Sequence, residues 1–299
     1  MPHSLALGAN SVIMHFARLC LAVLAAAMLA LPALASPAWA ACEPARLAAK
    51  YPSLKGVTVK IGQDGESPPF STRDPKDFSK LIGLDADLAR AVFACAGIPV
   101  TFITGSWSGL IPATMAGQID VMWDTLLYTP ERAKRLDFVV YMGAVTGVMV
   151  PKGNPKKLKG LADLCGLKVT AGLGTTQEAQ LREVAATCKT EGKAALEIIT
   201  APDIPSGIRL VQNGRADAFS TNKALVSAMA EKMPGVFDFA FEIQTGAKIA
   251  AGVAKNRPEL RQVILDGLTA LAADGRMKKI FEDNRVDASA ARTPEILTD

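Results

Sequence analysis

Two hydrophobic rhythms alternate along this chain. Short apolar runs rich in β-branched residues fall at 57–62, 100–103, 119–123, 145–150, 167–171, 196–199 and 216–219, and such runs predict buried strands. Between them, apolar residues recur at helical spacing over 84–96, 109–116, 176–186, 204–213 and 223–232. This alternation predicts an α/β fold of parallel sheets with helices on both faces. The C-terminal end adds a strand over 249–254 and helices over 258–273 and 276–282, and residues 287–299 are expected to fray.

One pattern occurs twice. Gly117-Gln-Ile-Asp-Val-Met and Gly214-Arg-Ala-Asp-Ala-Phe each set a helix-stopping glycine before an aspartate and a short strand. Glycine C-caps of this kind are routine in α/β folds. Even so, the echo suggests two halves that each present a loop to a common cleft.

The N-terminus reads differently. Arg18 precedes an apolar run from Leu19 to about Leu34, and Ala38-Trp39-Ala40 closes the segment with a small-x-small ending. Residues 1–40 therefore read as a secretory signal peptide, cleaved after Ala40, with Met14 a possible start. Cleavage would leave 259 of the 299 residues and remove Arg18 alone among the 33 basic ones, so 32 face 29 acidic residues, a net of +3. Trp39 does not suit the lipobox that a lipid anchor on Cys42 would need. No later run is long and apolar enough to cross a bilayer, so a soluble periplasmic protein is expected.

That charge balance, with no basic run longer than Lys156-Lys157, argues against nucleic acid. Both histidines, His3 and His15, lie in or before the leader. Hydrolases built on histidine and imidazole zinc sites are thereby excluded, and no metal or cofactor is expected. Four cysteines survive processing, an even number that suggests disulfides in an oxidising compartment. Cys165 and Cys188 flank one strand and helix and are expected to pair. Cys95 shares a helix face with Leu88 and Val92, and is either an inert core thiol or bridged to Cys42.

The densest signal is Ser106 to Arg132, SWSGLIPATMAGQIDVMWDTLLYTPER. A short helix ends at Gly117, a buried strand follows, and the loop beyond it carries Thr125, Thr129 and Arg132. Loops at the carboxyl ends of strands collect ligands, and these side chains can donate to a carboxylate. An arginine after Pro130-Glu131 taken alone is equally a solvated helix residue.

The ordered set, an aromatic, a Leu-Ile-Pro-Ala helix, a Gly-x-x-Asp strand start and a closing Thr-x-x-Arg, resembles the family 3 solute-binding proteins. These are the polar amino-acid receptors of bacterial ABC importers. The resemblance spans about Val57 to Asp283 and implies a two-lobed periplasmic-binding-protein fold of type II, each lobe a mainly parallel sheet flanked by helices. It implies lobe 1 from 41–143 and 249–299, lobe 2 from 147–244, and a hinge near 142–146 and 245–249. It also implies an amino-acid-like solute, an inner-membrane ABC permease as partner, and a monomer that performs no chemistry.

By this resemblance Arg132 holds a ligand carboxylate with the helix start Gly174-Thr175-Thr176-Gln177, where unpaired amides favour an anion. A plain threonine N-cap is the alternative there, and the missing GK[ST] ending argues against a phosphate loop. Trp107 matches an aromatic that packs on the ligand. Three positions depart from the pattern. Asn222 stands where an aspartate meets the α-ammonium, Leu127 replaces a hydroxyl, and Ser67 falls where an aromatic is usual. Asp124, expected to face the cleft and helped by Asp64, is a candidate to take a cationic ligand group, or else caps its own loop.

Two other readings stay open. One is an enzyme on the same scaffold resembling cyclohexadienyl dehydratases, for which Glu178 is the nearest acid, although a first-turn glutamate also suits the helix dipole. The other is a ligand-sensing module for a partner receptor.

Overall fold

The computed structural model describes Cys42 and residues 49–298. The expected signal peptide, its cleavage after Ala40 and the start at Met14 lie outside the described residues. The first half of the chain runs β1 (Val59–Gln63), β2 (Glu66–Ser67), β3 (Ser71–Asp74), β4 (Asp77–Ile82), α1 (Leu84–Cys95), β5 (Val100–Thr104), α2 (Trp107–Met115), β6 (Val121–Leu127), α3 (Pro130–Ala133) and β7 (Leu136–Pro151). The second runs β8 (Lys168–Gly172), α4 (Thr176–Thr190), β9 (Glu197–Ala201), α5 (Ile204–Gln212), β10 (Ala218–Asn222), α6 (Lys223–Lys232), β11 (Phe237–Ala254), α7 (Pro258–Ala273), α8 (Arg276–Asp283) and β12 (Ala291–Leu297).

The long strands β7 and β11 pair antiparallel, and everything else is arranged about them. Beside β11 stand β6, β1 and β5, joined by the parallel pairs β6–β1 and β1–β5. Beyond β7 stand β10, β8 and β9, again parallel to one another. The free edge of β7 changes partner midway. Phe138 to Met142 pair with β12, and Thr146 to Met149 pair with β10. The β7–β11 register breaks opposite that change, between Gln244 and Lys248.

Strand alternation divides the apolar residues among four cores. Val121, Trp123, Val139 and Tyr141 face α1 and α7, whereas Met122, Leu126, Phe138 and Val140 face the side covered by Leu110 of α2. In the second half Val148 and Val150 pack with Leu181 and Val184 of α4, while Met149 and Phe219 pack with Leu225 and Met229 of α6. Each fully buried large side chain contributes about 1.5–3 kcal/mol. Among the described residues no helix is long and apolar enough to cross a membrane.

The structure corrects the expected tail. Residues 291–297 form β12 rather than fraying, because β7 offers an unpaired edge that this segment completes. Lys248–Glu295 adds an ion pair between β11 and this strand. Three further strand regions lie outside the expected strands: the small sheet β2-β3-β4 and the first half of β11, which carry no continuous apolar run, and the start of β7, despite its apolar run Phe138 to Met142. Both cysteine pairs are joined. Cys165–Cys188 ties the turn after Leu164 to the end of α4 with a Cα separation of 5.6 Å, and Cys42–Cys95 ties the N-terminal segment to the end of α1 at 4.9 Å.

Candidate functional site

The carboxyl ends of β1, β5, β6, β8, β9 and β10 open onto one cavity of about 410 Å³. This is where open parallel sheets place ligands, and the size is that of small-molecule sites. Asp64, Ser67, Trp107, Thr125, Leu127, Arg132, Thr176, Gln177 and Asn222 all line it. Residues from both sides of the β7–β11 pair therefore share one space.

Arg132 is held at the start of α3, where Thr129 caps the turn by accepting the Arg132 N–H at 3.2 Å. Thr129 does not line the cavity, which corrects its place among the candidate donors. The Arg132 guanidinium donates to the Leu127 carbonyl at 2.7 Å and to the Gly174 carbonyl at 3.0 Å, linking the two halves. It lies 5.2 Å from the centroid of the Trp107 ring, a cation–π arrangement. Burial lowers its pKa to about 10, so it stays charged at neutral pH.

Across the sheet, α4 begins at this cavity. Gly174 adopts a left-handed backbone at φ 73°, and Thr175 caps the helix through the Glu178 N–H at 3.2 Å. Gly174 itself stands outside the lining and acts through its carbonyl. The amides of Thr176 and Gln177 come first in the helix and have no intrahelical acceptor. Glu178 is 7% exposed and fully engaged: its carboxylate accepts from the Gly174 N–H, Thr200 and Arg182 at 2.8, 2.9 and 2.7 Å. Burial pushes the Glu178 pKa up, but these bonds outweigh it and hold the group below the ordinary glutamate value. An ionised, tied carboxylate outside the cavity is not the proton donor a dehydratase requires.

The floor on the other side is acidic. Asp64 accepts from the Glu66 N–H at 2.8 Å and the Ser67 hydroxyl at 2.6 Å. Asp124 does not face the cleft, which corrects that expectation. It is wholly buried, its Oδ2 accepts the Asp64 N–H at 2.9 Å, and its Oδ1 has no partner. It is thus tied to the neighbouring strand end rather than capping its own loop. Trp107 donates its indole N–H to the Asp124 carbonyl at 3.0 Å.

A third acid, Asp85, was not among the sequence candidates. Gly83 at φ 119° passes so close to the Phe70 carbonyl that a Cβ would stand 2.5 Å from its oxygen, and this packing sets the start of α1. Asp85, in the first turn, accepts the Thr125 N–H at 2.7 Å and the Tyr141 hydroxyl at 2.6 Å. Thr125 is held there at φ 45°, a left-handed conformation uncommon for a β-branched residue. Burial raises Asp64 to about 6 and Asp85 to about 7; burial and then the charges of Asp64 and Asp85 push Asp124 well above the aspartate range.

Sequence reasoning also missed Arg73, Thr104, Asp203 and Thr221, which line the cavity. Thr104, Asp203 and Thr221 sit at or just past strand ends, so the strand-end rule applied to β5, β9 and β10 would have found them. Asn222 does line the cavity, and it caps α6 by accepting the Ala224 N–H at 2.9 Å.

A cavity that gathers strand ends from two halves of one sheet, with a guanidinium and carboxylates in its walls, defines a ligand-capturing protein. The sequence matches the bacterial extracellular solute-binding proteins, family 3, over residues 59–284, and the chain belongs to that family. It is 25% identical over 226 residues to the L-cystine-binding protein TcyJ of Escherichia coli K12, covering 75% of this chain and 81% of that protein. It is 28% identical over 249 residues to the lysine/arginine/ornithine-binding periplasmic protein of the same organism, covering 79% and 92%. Its fold is similar to that of an ancestral arginine-binding protein bound to glutamine, with a TM-score of 0.69, 32% identity, and coverage of 76% of this chain and 96% of that one. The fold is thus the type II periplasmic-binding-protein fold.

Proposed function

We propose that this protein is the periplasmic receptor of an ABC importer and captures a small amino-acid-like solute that carries both a carboxylate and a cationic group. The observation that carries this reading is the meeting of Arg132 and Asp64 in one cavity. A ligand carboxylate would take the Arg132 hydrogens now given to carbonyl oxygens, a charge-assisted exchange. The Thr176 and Gln177 amides would complete its shell. A cationic side chain would lie toward Asp64, and the α-ammonium toward Asn222.

In this reading residues 41–143 and 249–299 form one lobe and 147–244 the other, with the hinge near 142–146 and 245–249. The break in register between Gln244 and Lys248, and the change of partner along β7 between Met142 and Thr146, support that placement. Because the ligand would touch residues of both lobes, binding would favour the closed arrangement, the differential affinity that drives such a motion. The closed protein, a monomer freed of residues 1–40, would deliver its solute to an inner-membrane permease. Relatives named for cystine, histidine and arginine binding support this class of ligand.

Calorimetric titration of the processed protein with basic, neutral and acidic amino acids, and with dicarboxylates lacking a cation, tests this reading. Saturable one-to-one binding of an amino acid is expected. Arg132→Ala should weaken it by about 100-fold, the scale of removing one partner of a buried charge contact. Silence across the panel, or product formation from prephenate or arogenate, would overturn the reading.

A further inference from the structure

Three carboxyl groups are bound into one unit beneath the cavity. Asp124 Oδ2 holds the Asp64 amide, and Asp85 holds the amide of Thr125, the residue that follows Asp124. The groups that face the unit offer it no charge balance. Tyr141 from β7 donates to Asp85, Glu66 adds a further acid beside Asp64, and Trp107 from α2 meets only a carbonyl. Arg132 gives its hydrogens to Leu127 and Gly174, and Arg73 gives its own to Phe78 and Thr104. Among the described residues no ion pair reaches Asp64, Asp85 or Asp124.

Asp124 Oδ1 adds an independent observation. It is the one carboxylate oxygen among the described residues that is fully buried without a partner. An ionised oxygen in that position is costly, whereas a protonated carboxyl is tolerable. The cluster is not arranged as a metal site either: among the described residues no group of three or more such side chains is placed to hold an ion.

We propose that Asp64, Asp85 and Asp124 hold protons in common, and that seating a cationic ligand side chain at Asp64 expels one proton to solvent. Asp124 then sets the preference for cationic over neutral ligands without touching the ligand, as a positioning residue. The inference rests on the amino-acid reading of the cavity. The pKa directions agree with it: Asp64 is raised to about 6, Asp85 to about 7, and Asp124 well above the ordinary aspartate range, each chiefly by burial. Coupled groups of this kind lose protons as a set rather than one residue at a time. A cation favours the ionised unit, so affinity is full above the range of these pKa values and falls as pH drops through it.

The test is calorimetry with L-arginine and L-glutamine between pH 5.5 and 8, in buffers of different ionisation enthalpy. Arginine binding is expected to release about one proton where the free unit is protonated, and to weaken there by about tenfold for each pH unit below about 7. Glutamine binding should release none. Asp124→Asn should abolish the release and narrow the arginine-over-glutamine preference by about tenfold. Should that variant not fold, carbon-13 titration of the wild-type aspartates without ligand decides, with one carboxyl still protonated at pH 7 expected. Arginine affinity that is flat with pH and free of buffer-dependent heat would overturn the inference while leaving the receptor reading intact, as would aspartates that are all ionised by pH 5. Binding of neither amino acid at any pH would remove both.

Discussion

Strands β6 and β10 hold corresponding places in the two halves of the sheet. Each is preceded by an aspartate that staples the start of a neighbouring strand: Asp120 accepts the Lys60 N–H and Asp217 accepts the Lys168 N–H, both at 2.9 Å. Each ends at the cavity. From there the two diverge. The end of β6 carries a left-handed Thr125 pinned by a buried acid, over a wholly buried Asp124. The end of β10 runs into α6 through Asn222, an N-cap at φ −67°. The repeated glycine-x-x-aspartate element thus specifies how a strand starts, and what its far end does is set by the residues packed beneath it.

The difference predicts unequal sensitivity. Asp85→Ala leaves two buried donors, the Thr125 amide and the Tyr141 hydroxyl, without their acceptor. A loss of about 2–4 kcal/mol in urea unfolding at pH 7.5 is expected. Asn222→Ala removes only a helix cap and should cost about 1 kcal/mol. Equal losses would mean that the two corners are held alike.

The corners should also answer pH differently. Asp64 at about 6 and Asp85 at about 7 are raised by burial above the unfolded aspartate value near 3.9. The folded protein therefore binds more protons than the unfolded chain across roughly pH 4 to 7, and stability falls as pH rises through that window. The ligand-free protein should be more stable near pH 5 than near pH 8 by on the order of 4 kcal/mol from these two groups, about 1.4 kcal/mol for each pH unit below each folded pKa. Exposed carboxylates held low by their partners, Asp77 and Glu242 among them, act in the opposite direction. The difference between wild type and Asp85→Asn is therefore the quantity to read, and a difference flat with pH would contradict the buried unit. The β10 corner offers no such group until one is introduced. Asn222→Asp keeps the cap and places a carboxylate in the cavity, and affinity for α-amino acids should rise by about tenfold. A measured decrease would show that the α-ammonium is bound elsewhere.

Much of this contrast was out of reach of the sequence. The buried runs of β1, β6 and β8, and helices such as α1 and α4, are legible because the apolar pattern is dense where both faces of a strand are covered. β12 is a strand only because β7 has an edge to fill, a tertiary cause with no trace in Ala-Arg-Thr-Pro-Glu-Ile-Leu. The cavity lining followed from the strand-end rule and the resemblance together, which brought Arg132, Trp107 and Thr176 to one place. Asp85 stayed hidden, since an acid in the first turn of a helix reads as a dipole partner. Its contact with Thr125, 40 residues away, depends on how Gly83 seats α1 against Phe70. Asp124 was misplaced for a related reason. The resemblance suggested a cleft-facing position there, whereas its carboxylate turns to the Asp64 backbone.

The smallest effect is also the one whose sign separates the two corners. At φ 45°, Thr125 carries the clash between its Cβ and the backbone that disfavours left-handed residues, about 1–2 kcal/mol. Glycine is free of that clash but loses about 0.5–1 kcal/mol more in chain entropy on folding. Thr125→Gly should therefore stabilise the ligand-free protein slightly, by about 0.5–1 kcal/mol, provided the Asp85 carboxylate still holds the amide at position 125. Asn222→Gly has no strain to relieve and gives up a side-chain cap, so a loss of a few tenths of a kcal/mol is expected. Measured side by side in urea, the pair should move in opposite directions. A destabilised Thr125→Gly would mean that the threonine side chain itself, rather than the acid beneath it, holds this corner of the cavity in place.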